Sequence, residues 1–529
     1  MDLLRSPAPA PSQASRWPEH LAAIDLGSNS FRLEIGLALH GRYRRVEYLK
    51  ETVRLGAGLD ADGLLTEEAT QRGLACLAHF AQRLDGYAPA QVRAVATQTL
   101  REARNRDAFL TRAQSALGMP IEVISGREEA RLIFAGVARL QPSDARRLVV
   151  DIGGRSTEMI IGAGLTPKRT ESFQVGSVSL SMSCFPDGRL TEDAFRRAQI
   201  AAGAEFEEAL APFGRKHWRE ALGSSGTASA VSQLLAASGI TDGRITPDGL
   251  RWCIAQCLDA GHIDRLALPG LRDDRRAVIA GGLAILYTLA THFGIEVLLP
   301  ARGALRQGVI FDLAERRFAA RDPAHAQDMR DASVLDLQRR FMVDTEHAAR
   351  VAAVADALYT SVLPRAGNGL SSEPQPEPQR EQRRELRREL QWAAALHEMG
   401  MMVSHHDHHR HSAYLLSHAD AAGFSQSQQR RLGDLVLAQR GSLRKSEAAL
   451  GSEAFAWQAL CLRLAIIKCH ARSDVDPGVL KLERHGAEAR LGLARGWAQS
   501  HPRTMYLLGA EVAAWERGGP LRLQLDGPR

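Results

Sequence analysis

One sequence pattern occurs twice in this chain and constrains its fold more than any other feature. The segment LAAIDLGSNSFRLEIG begins at Leu21, and LVVDIGGRSTEMIIG begins at Leu148. Each copy has an apolar strand, a single Asp, a turn of Gly and small polar residues, and a second apolar strand. The matching acids are Asp25 and Asp151. A duplicated hairpin of this kind predicts two similar domains that face each other across a cleft.

The residues around the hairpins are typical of an α/β protein. Apolar strands and helical patterns alternate over 21–150 in the order strand, strand, strand, helix, strand, helix, strand, helix. This order predicts a first domain over 21–140 and a second over 141–316. The remaining segments are a disordered tail over 1–20, a mostly helical domain over 317–480 with a flexible loop at 366–380, and a small strand-helix-strand domain over 481–529.

The composition narrows the class of protein. The 529 residues are 45% hydrophobic and 24% charged, which is typical of a globular protein. No apolar run approaches the roughly 18 residues that a membrane-spanning helix needs, so we expect no membrane span. A formal charge of +6 suits a local anion-binding cleft and does not require a nucleic-acid partner. Six scattered cysteines without disulfide or zinc spacing predict a reducing, cytoplasmic compartment.

The two Asp-Gly turns have a chemistry that suits phosphate. Successive backbone N–H groups in a Gly-rich turn form a concavity that binds phosphate oxygens. The Asp before each turn repels phosphate, but it can hold Mg²⁺ through water or orient an attacking water. We therefore expect Asp25 and Asp151 to manage a metal ion or a water beside bound phosphate.

Several motifs in sequence order resemble one known family. They are AIDLGSNSFRL, AVATQTLREARN, EVISGREEARLIFAGV, VVDIGGRSTE, GSSGTA, AVIAGGLAIL and GALRQGV, followed by LHEMG and HRHSAYLL in the helical region. Together they resemble the exopolyphosphatase/guanosine pentaphosphate phosphohydrolase (Ppx/GppA) family. The resemblance implies an α/β N-terminal half of two actin-like, ribonuclease-H-like domains. It also implies a helical domain similar to HD phosphohydrolases, a small C-terminal α/β domain and a homodimer.

The same resemblance assigns roles to individual residues. The catalytic carboxylate of the REEAR segment is Glu129, with Glu128 as its neighbour, and a Glu in the first turn of a helix at a phosphate cleft suits a general base. Glu158 joins Asp25 and Asp151 at the metal, which the resemblance implies is Mg²⁺, with K⁺ as a further candidate. The predicted phosphate-binding residues are Ser28, Asn29, Ser30, Arg101, Gly153, Gly154, Ser156, Ser225, Gly226 and Thr227.

Two positions depart from the family pattern. Arg155 occupies the third Gly of the family's Asp-Ile-Gly-Gly-Gly-Ser-Thr-Glu turn, where its side chain either crowds the phosphate or adds a cation. Ala301 and Arg302 stand where the family has a hydroxyl residue and an Asp before GALR. The two substitutions are consistent with tighter polyphosphate binding, a changed substrate preference or a weakened paralogue, but the retained carboxylates favour an active enzyme.

A histidine-rich segment invites a metal-site interpretation. His405, His406, His408, His409 and His411 follow the pair His397-Glu398, and His347 lies further upstream. HD phosphohydrolases have His-Asp where this chain has His-Glu. We therefore expect a degenerate, structural domain and a histidine-rich loop that binds no metal.

The sequence leaves several functions open. The first is an exopolyphosphatase that hydrolyses terminal phosphoanhydride bonds of polyphosphate with Mg²⁺ and releases orthophosphate. The second is a guanosine pentaphosphate 5′-phosphohydrolase, and the third is a polyphosphate- or nucleotide-binding regulator without turnover. An ATPase or sugar kinase of the same fold is less favoured, because the EVISGREEAR segment has no identified role in those enzymes.

Overall fold

A computed structural model of the protein describes residues 20–39, 42–321, 328–363, 377–472, 476–494 and 496–526. Residues 1–19 of the predicted tail and 366–376 of the predicted loop lie outside these residues, and the last residues of that loop begin a helix. The chain divides into two compact units, with the division at residues 326/327. Within the described residues, no helix has the length and apolar character needed to cross a bilayer.

The first unit contains ten strands and eleven α-helices among its described residues. The strands are β1 His20–Leu26, β2 Phe31–Leu39, β3 Arg42–Glu51, β4 Val92–Ala96, β5 Ile121–Val123, β6 Arg147–Ile152, β7 Thr157–Ala163, β8 Thr166–Phe173, β9 Glu220–Ser224 and β10 Leu298–Pro300. The helices are α1 Glu67–Arg83, α2 Gln98–Glu102, α3 Arg106–Leu117, α4 Gly126–Leu140, α5 Ser177–Cys184, α6 Glu192–Phe206, α7 Ser225–Ala237, α8 Pro247–Ala260, α9 Asp273–Arg276, α10 Ile279–Phe293 and α11 Leu305–Arg321.

The strands form two five-stranded sheets with the same topology. The order is β3-β2-β1-β4-β5 in one sheet and β8-β7-β6-β9-β10 in the other. In each sheet an antiparallel hairpin supplies the central strand, and the next strands add parallel to it. The duplicated hairpin predicted from the sequence is therefore the centre of two similar α/β domains.

The central strands are apolar because helices cover both faces of each sheet. Every residue of β6 is buried, and so are all residues of β1 after His20. A parallel arrangement covered on both faces requires such continuous apolar runs. The carboxylates of Asp25 and Asp151 are exceptions, and they lie near the ends of these two strands, where the sheets open onto the cleft.

Two helices cross the predicted boundary between the domains. Helix α4 packs on β7 and β8 of the second sheet, although it precedes residue 141, and α11 returns to pack on β1, β2 and β4 of the first sheet. The two helices touch closely, since a Cβ at Gly308 would lie only 1.8 Å from the carbonyl oxygen of Leu132. Each sheet is thus covered by a helix from the other sequence segment, and the predicted boundary at 140/141 stays a prediction.

A buried ion network fixes α11 against α4 and β4. Asp312 accepts hydrogen bonds from Arg93, Arg131 and Arg316 at 2.6–2.7 Å. Glu128 also takes part, with its two carboxylate oxygens 2.7 and 2.8 Å from Arg131 donors. Because these arginines surround it, the pKa of Asp312 is lowered despite burial, which alone would raise it. The network thus holds together the helices that carry the cleft residues.

The second unit is mostly helical in its described residues. Its helices are α12 Met329–Arg340, α13 Thr345–Val362, α14 Glu377–Leu396, α15 His408–His418, α16 Gln426–Ala438, α17 Glu447–Leu450, α18 Glu453–Lys468, α19 Trp497–Ser500 and α20 Pro502–Gly518, and its strands are β11 Leu480–His485, β12 Glu488–Leu493 and β13 Arg522–Leu525. Buried side chains of these strands share one core with the helices, as Leu482 and Leu491 do with Leu358 and Trp457. The separate domain predicted over 481–529 stays a prediction.

Candidate active site

The two Asp-Gly turns of the first unit meet across a cleft. A Cβ at Gly154 would lie 3.1 Å from the Cβ of Ser28 and 3.6 Å from the backbone nitrogen of Asn29. The cleft between them encloses about 310 Å³. Both predicted turns therefore line one site.

Twelve of the fifteen predicted site residues line this cleft. They are Asp25, Ser28, Asn29, Ser30, Glu129, Asp151, Gly153, Gly154, Ser156, Ser225, Gly226 and Thr227. The other three, Arg101, Glu128 and Glu158, do not line the cavity. Their positions decide what each can do.

Glu129 reaches the cleft because Ser125 begins helix α4 beside it. The Ser125 hydroxyl accepts a hydrogen bond from the backbone N–H of Glu128, which caps the helix and places Glu129 in its first turn. The pKa of Glu129 is raised to about 7 as the net result of several effects. Burial raises it most, Arg101 lowers it, and the charges of Asp25 and Asp151 raise it. A general base works best with a pKa near the operating pH, so Glu129 suits that role.

Arg101 binds Glu129 in this structure. Its Nη1 donates to Glu129 Oε2 at 2.8 Å and to the carbonyl oxygen of Ile124 at 3.0 Å. Two further donors of the guanidinium bind Gln98 Oε1. Arg101 therefore orients Glu129 in this structure, and its predicted contact with phosphate stays a prediction.

Glu128 points away from the cleft, which corrects its predicted place beside Glu129. Adjacent residues of a helix project about 100° apart, so only one of the pair can face the site. Glu128 is 2% exposed and its carboxylate is bound to Arg131 in the ion network. Its position gives it a structural role.

Glu158 is buried near the other carboxylates without lining the cavity. It pairs with Asp151 across the β6–β7 hairpin and accepts a hydrogen bond from Ser172 Oγ at 2.8 Å. Burial and the charges of Glu129 and Asp151 raise its pKa well above the usual value. Burial likewise raises the pKa of Asp151. The carboxylates therefore lie close enough to raise one another's pKa values, and Arg32 and Arg101 offset part of this effect.

This donor set fits Mg²⁺. The carboxylates supply only oxygen, and Mg²⁺ takes one or two carboxylates and keeps several waters. Among the described residues, the carboxylate oxygens of Asp25, Asp151 and Glu158 do not all lie within 4.8 Å of one another. Water-mediated binding therefore suits this site better than a closed cage of protein ligands.

The hydroxyl groups of the two turns differ in what they offer a phosphate. Ser30 Oγ is buried and has no hydrogen-bond partner, so it is available to a ligand. Ser28 Oγ accepts from Thr99 at 2.8 Å and keeps its own proton free. The hydroxyls of Ser225 and Thr227 both donate to the Ile152 carbonyl oxygen. For these two residues the donors left for phosphate are backbone N–H groups at the start of α7.

Basic side chains surround the carboxylates, and the sequence analysis did not single them out. Arg32, Arg45, Lys50, Arg272, Arg275 and Arg306 all line the cleft. Asp25 Oδ2 lies 3.1 Å from Arg32 Nη1 and 3.6 Å from Arg306 Nη1. Lys50 from the first domain binds Asp274 of the second at 2.6 Å. The hairpin register contained the signal for Arg32, which pairs with Asp25 as Glu158 pairs with Asp151.

The two departures from the family pattern have different positions. Arg155 turns out of the phosphate-binding turn and donates to Glu102 Oε2 at 2.8 Å and to the Gly56 carbonyl oxygen at 3.1 Å. It therefore connects the two domains and does not fill the site. Arg302 is exposed and lines the cleft, where it adds a cation.

Two copies of one α/β domain, with paired Asp-Gly turns around a cleft of carboxylates and arginines, define an actin-like protein that handles phosphate groups. The Ppx/GppA phosphatase family matches residues 39–317, and domain III of Ppx/GppA phosphatases matches residues 329–512. The chain belongs to the Ppx/GppA phosphatase family, which confirms the resemblance seen in the sequence.

Solved structures show the same fold. A crystal structure of an exopolyphosphatase-like protein is 25% identical, with a TM-score of 0.51, over 57% of this chain and 99% of its own. An exopolyphosphatase from Cytophaga hutchinsonii is 24% identical, with a TM-score of 0.51, over 56% of this chain and 98% of its own. Each of these relatives corresponds to little more than half of the present chain.

Proposed function

We propose that this protein is an exopolyphosphatase that hydrolyses the terminal phosphoanhydride bond of inorganic polyphosphate and releases orthophosphate. The main observation in support of this function is the position of Glu129 in a cleft lined by arginine and lysine side chains. The pKa of Glu129 is raised to about 7 there. A base next to a strongly cationic rim suits a polyanionic substrate attacked by water.

The chain's own residues account for substrate binding and water activation. Backbone N–H groups of the two turns and the hydroxyls of Ser28 and Ser30 bind the terminal phosphate. Glu129 accepts the proton of the attacking water, and Arg101 holds the carboxylate in place. Arg32, Arg275 and Arg306 stabilise the negative charge that spreads over the transferred phosphoryl group.

The residues that would hold Mg²⁺ are Asp25 and Asp151, with Glu158 behind them in the carboxylate group. When bound, Mg²⁺ supplies charge neutralisation and orientation at the phosphoanhydride oxygens. K⁺ is a further candidate ion for the same group of carboxylates. The crowding of Glu129, Asp151 and Glu158 supports a cation here, because a positive charge favours their ionised forms.

Guanosine pentaphosphate 5′-phosphohydrolysis is the alternative within the same family. A guanosine ligand needs a flat or apolar surface for its base. Among the described residues that line the cleft, Tyr48 is the sole aromatic side chain, and the Arg306 guanidinium already lies 5.2 Å from its ring centre. The lining therefore favours a polyphosphate chain over a nucleotide.

Arg155 and Arg302 are the sequence features that favour the second alternative, a regulator that binds its ligand without turnover. The contacts of Arg155 with Glu102 and Gly56 leave the phosphate turns open. The hydrogen bond between Arg101 and Glu129 also supports catalysis.

Further parts of the proposal are a homodimer, an HD-like helical domain over 317–480 and a cytoplasmic location. Six free, buried cysteines support the cytoplasmic location.

Release of orthophosphate from long-chain polyphosphate with Mg²⁺ tests the proposal. We expect Glu129→Gln to lower kcat by about 100- to 10,000-fold, the range for loss of a general base. Glu171→Gln is the matched control, since Glu171 binds Arg127 at the start of the same helix but lies outside the cleft. Turnover of guanosine pentaphosphate in preference to polyphosphate would select the alternative. Tight polyphosphate binding without phosphate release would select the regulator.

A further inference from the structure

A second cavity lies within the C-terminal unit, apart from the cleft described above. It encloses about 850 Å³. Its wall includes His347 from α13 and the pair His397-Glu398 that follows α14. These three side chains are only 3%, 1% and 8% exposed, respectively.

The three side chains converge as metal ligands do. Their ligand atoms all lie within 4.8 Å of one another. Glu398 Oε1 is 3.9 Å from His347 Nε2 and 4.0 Å from His397 Nε2. Two tetrahedral donors that are each about 2.1 Å from one metal ion lie about 3.4 Å apart. The Glu398 oxygen therefore has to move only about 0.5 Å closer to the two histidines to share an ion with them.

Hydrogen bonding leaves the right nitrogen of His397 free. Its Nδ1 lies 2.7 Å from the carbonyl oxygen of Ala394, which accepts only from a protonated nitrogen. The proton of the neutral ring is therefore on Nδ1, and Nε2 carries a lone pair directed toward Glu398. A backbone carbonyl that fixes the opposite nitrogen is the usual support of a metal-binding histidine.

The free nitrogen is also buried without a partner. His397 Nε2 makes no hydrogen bond, and neither does Nδ1 of His347. A buried polar atom without a partner is unfavourable, so a ligand for it stabilises the fold. The orphaned Nε2 of His397 points to a ligand independently of the convergence of the three side chains.

One cation already contacts the cluster. Arg472 Nη2 donates to Glu398 Oε1 at 2.6 Å, and its Nη1 donates to Asp344 Oδ2 at 2.9 Å. The Arg472 side chain is 42% exposed, so it can keep Asp344 while Glu398 turns an oxygen to a metal. Arg472 offers nothing to the lone pair of His397, because a guanidinium only donates.

We propose that His347, His397 and Glu398 bind one divalent transition-metal ion of the Zn²⁺ type, with its open coordination positions facing the cavity. Two imidazoles and one carboxylate are a donor set for zinc or iron, whereas Mg²⁺ prefers oxygen alone. Three protein ligands leave at least one position for water or for a small ligand. The site consists of the buried His347 and the buried pair His397-Glu398, and it does not include the histidine-rich segment that begins at His405.

The histidine-rich segment supplies none of the three converging ligands, although its His405 and His408 also line the cavity. The His406 side chain is 93% exposed, and it does not line the cavity. His408 lines the cavity, but its Nε2 lies 3.2 Å from Arg440 Nη1, which donates to it. The expectation that the loop binds no metal therefore stays compatible with a metal at the buried trio.

Metal analysis of the full-length protein tests the proposal. The protein is purified without a polyhistidine tag, dialysed against Zn²⁺ with excess Mg²⁺, and measured by mass spectrometry of the metal. Excess Mg²⁺ occupies oxygen-rich sites such as the cleft. We expect about one Zn²⁺ per chain, and visible absorption of a Co²⁺ derivative with imidazole ligands.

Variants locate the ion. His397→Gln and His347→Gln should each weaken Zn²⁺ binding by at least about 100-fold, since loss of a ligand exceeds the loss of a supporting hydrogen bond. His406→Gln and Asp151→Asn should bind as the wild type does. If circular dichroism shows that the histidine variants do not fold, Glu398→Gln gives the same readout with little change in shape.

Three results would overturn the proposal. They are a wild type that binds neither Zn²⁺ nor Co²⁺, loss of the ion in Asp151→Asn, and loss of the ion in His406→Gln. The second result would assign the ion to the phosphate cleft and the third to the exposed loop. None of these readouts depends on phosphatase activity, so the proposed function can fail without affecting this test.

Discussion

At the scale of single residues, Glu129 is the proposed base, and neighbours with opposing effects set its pKa. Burial and the charges of Asp25 and Asp151 favour its protonated form, whereas Arg101 favours the ionised form. The free enzyme must lose this proton before Glu129 can accept one from water. The balance therefore determines the pH at which the enzyme becomes active.

Removal of Arg101 tests this balance. We expect Arg101→Gln to raise the pKa of Glu129 further, because the charge that lowers it is lost. The rising limb of kcat/KM against pH should then move to higher pH, so the activity loss is larger at pH 6 than at pH 9. The profile is measured with polyphosphate at constant Mg²⁺. A uniform loss at all pH values, with an increased KM, would instead support the phosphate contact predicted from the sequence.

Other residue positions show how far a sequence can specify this site. The Asp-Gly turns and Glu129 follow from motifs, because strand, turn and helix start are all local features. Arg45, Lys50, Arg272 and Arg275 come from separate segments, and only the folding of the two domains brings them to the cleft. The direction of Glu128 depends on Asp312, which lies 184 positions away in the chain and completes the network with Arg131. Such long-range pairs leave no local signal.

At the scale of elements, the β6–β7 turn contacts the first domain through Arg155. The guanidinium binds Glu102 at the end of α2 and the carbonyl oxygen of Gly56. About three-quarters of each charged side chain is buried, since 23% of Arg155 and 27% of Glu102 is exposed. The turn that holds phosphate is therefore also an element of contact between the domains.

Restoration of the family glycine at this position tests its function. We expect Arg155→Gly to leave kcat/KM for polyphosphate within about threefold of the wild type, because the guanidinium forms a partly exposed ion pair with Glu102 and does not line the cleft. Glu102→Gln breaks the same ion pair and should have a similar effect, and the double variant should add little more. A loss of activity in Arg155→Gly but not in Glu102→Gln would show that Arg155 contacts the substrate directly.

The order of the elements was predictable, and their partners were less so. The sequence indicated β1 to β5 and the second hairpin from apolar periodicity, and the structure has both. It joined α2 and α3 into one helix, whereas Ala103, in extended conformation, ends α2. The packing of α4 on the second sheet and of α11 on the first was not predicted. The apolar face of a helix does not indicate in the sequence which sheet it covers.

At the scale of the whole molecule, the candidate site residues all belong to one of two compact units. Residues 15–326 contain both sheets, and the cleft residues from Asp25 to Gln307 lie among them. The exopolyphosphatase-like relative is covered over 99% of its length by 57% of this chain, or about 300 residues. A protein of about that size therefore forms the fold without a second unit.

We expect the fragment 1–326 to fold and to hydrolyse short polyphosphate with a kcat within about tenfold of the full chain, because its cleft and its cores are complete. The matched control is the fragment 1–304, which lacks α11. Its loss removes Asp312, the carboxylate that Arg93 and Arg131 share. It also uncovers the apolar face of α4. Circular dichroism, urea unfolding and phosphate release compare the two fragments. A soluble, folded but inactive 1–326 would show that the second unit contributes to catalysis, and a folded 1–304 would contradict the role assigned to α11.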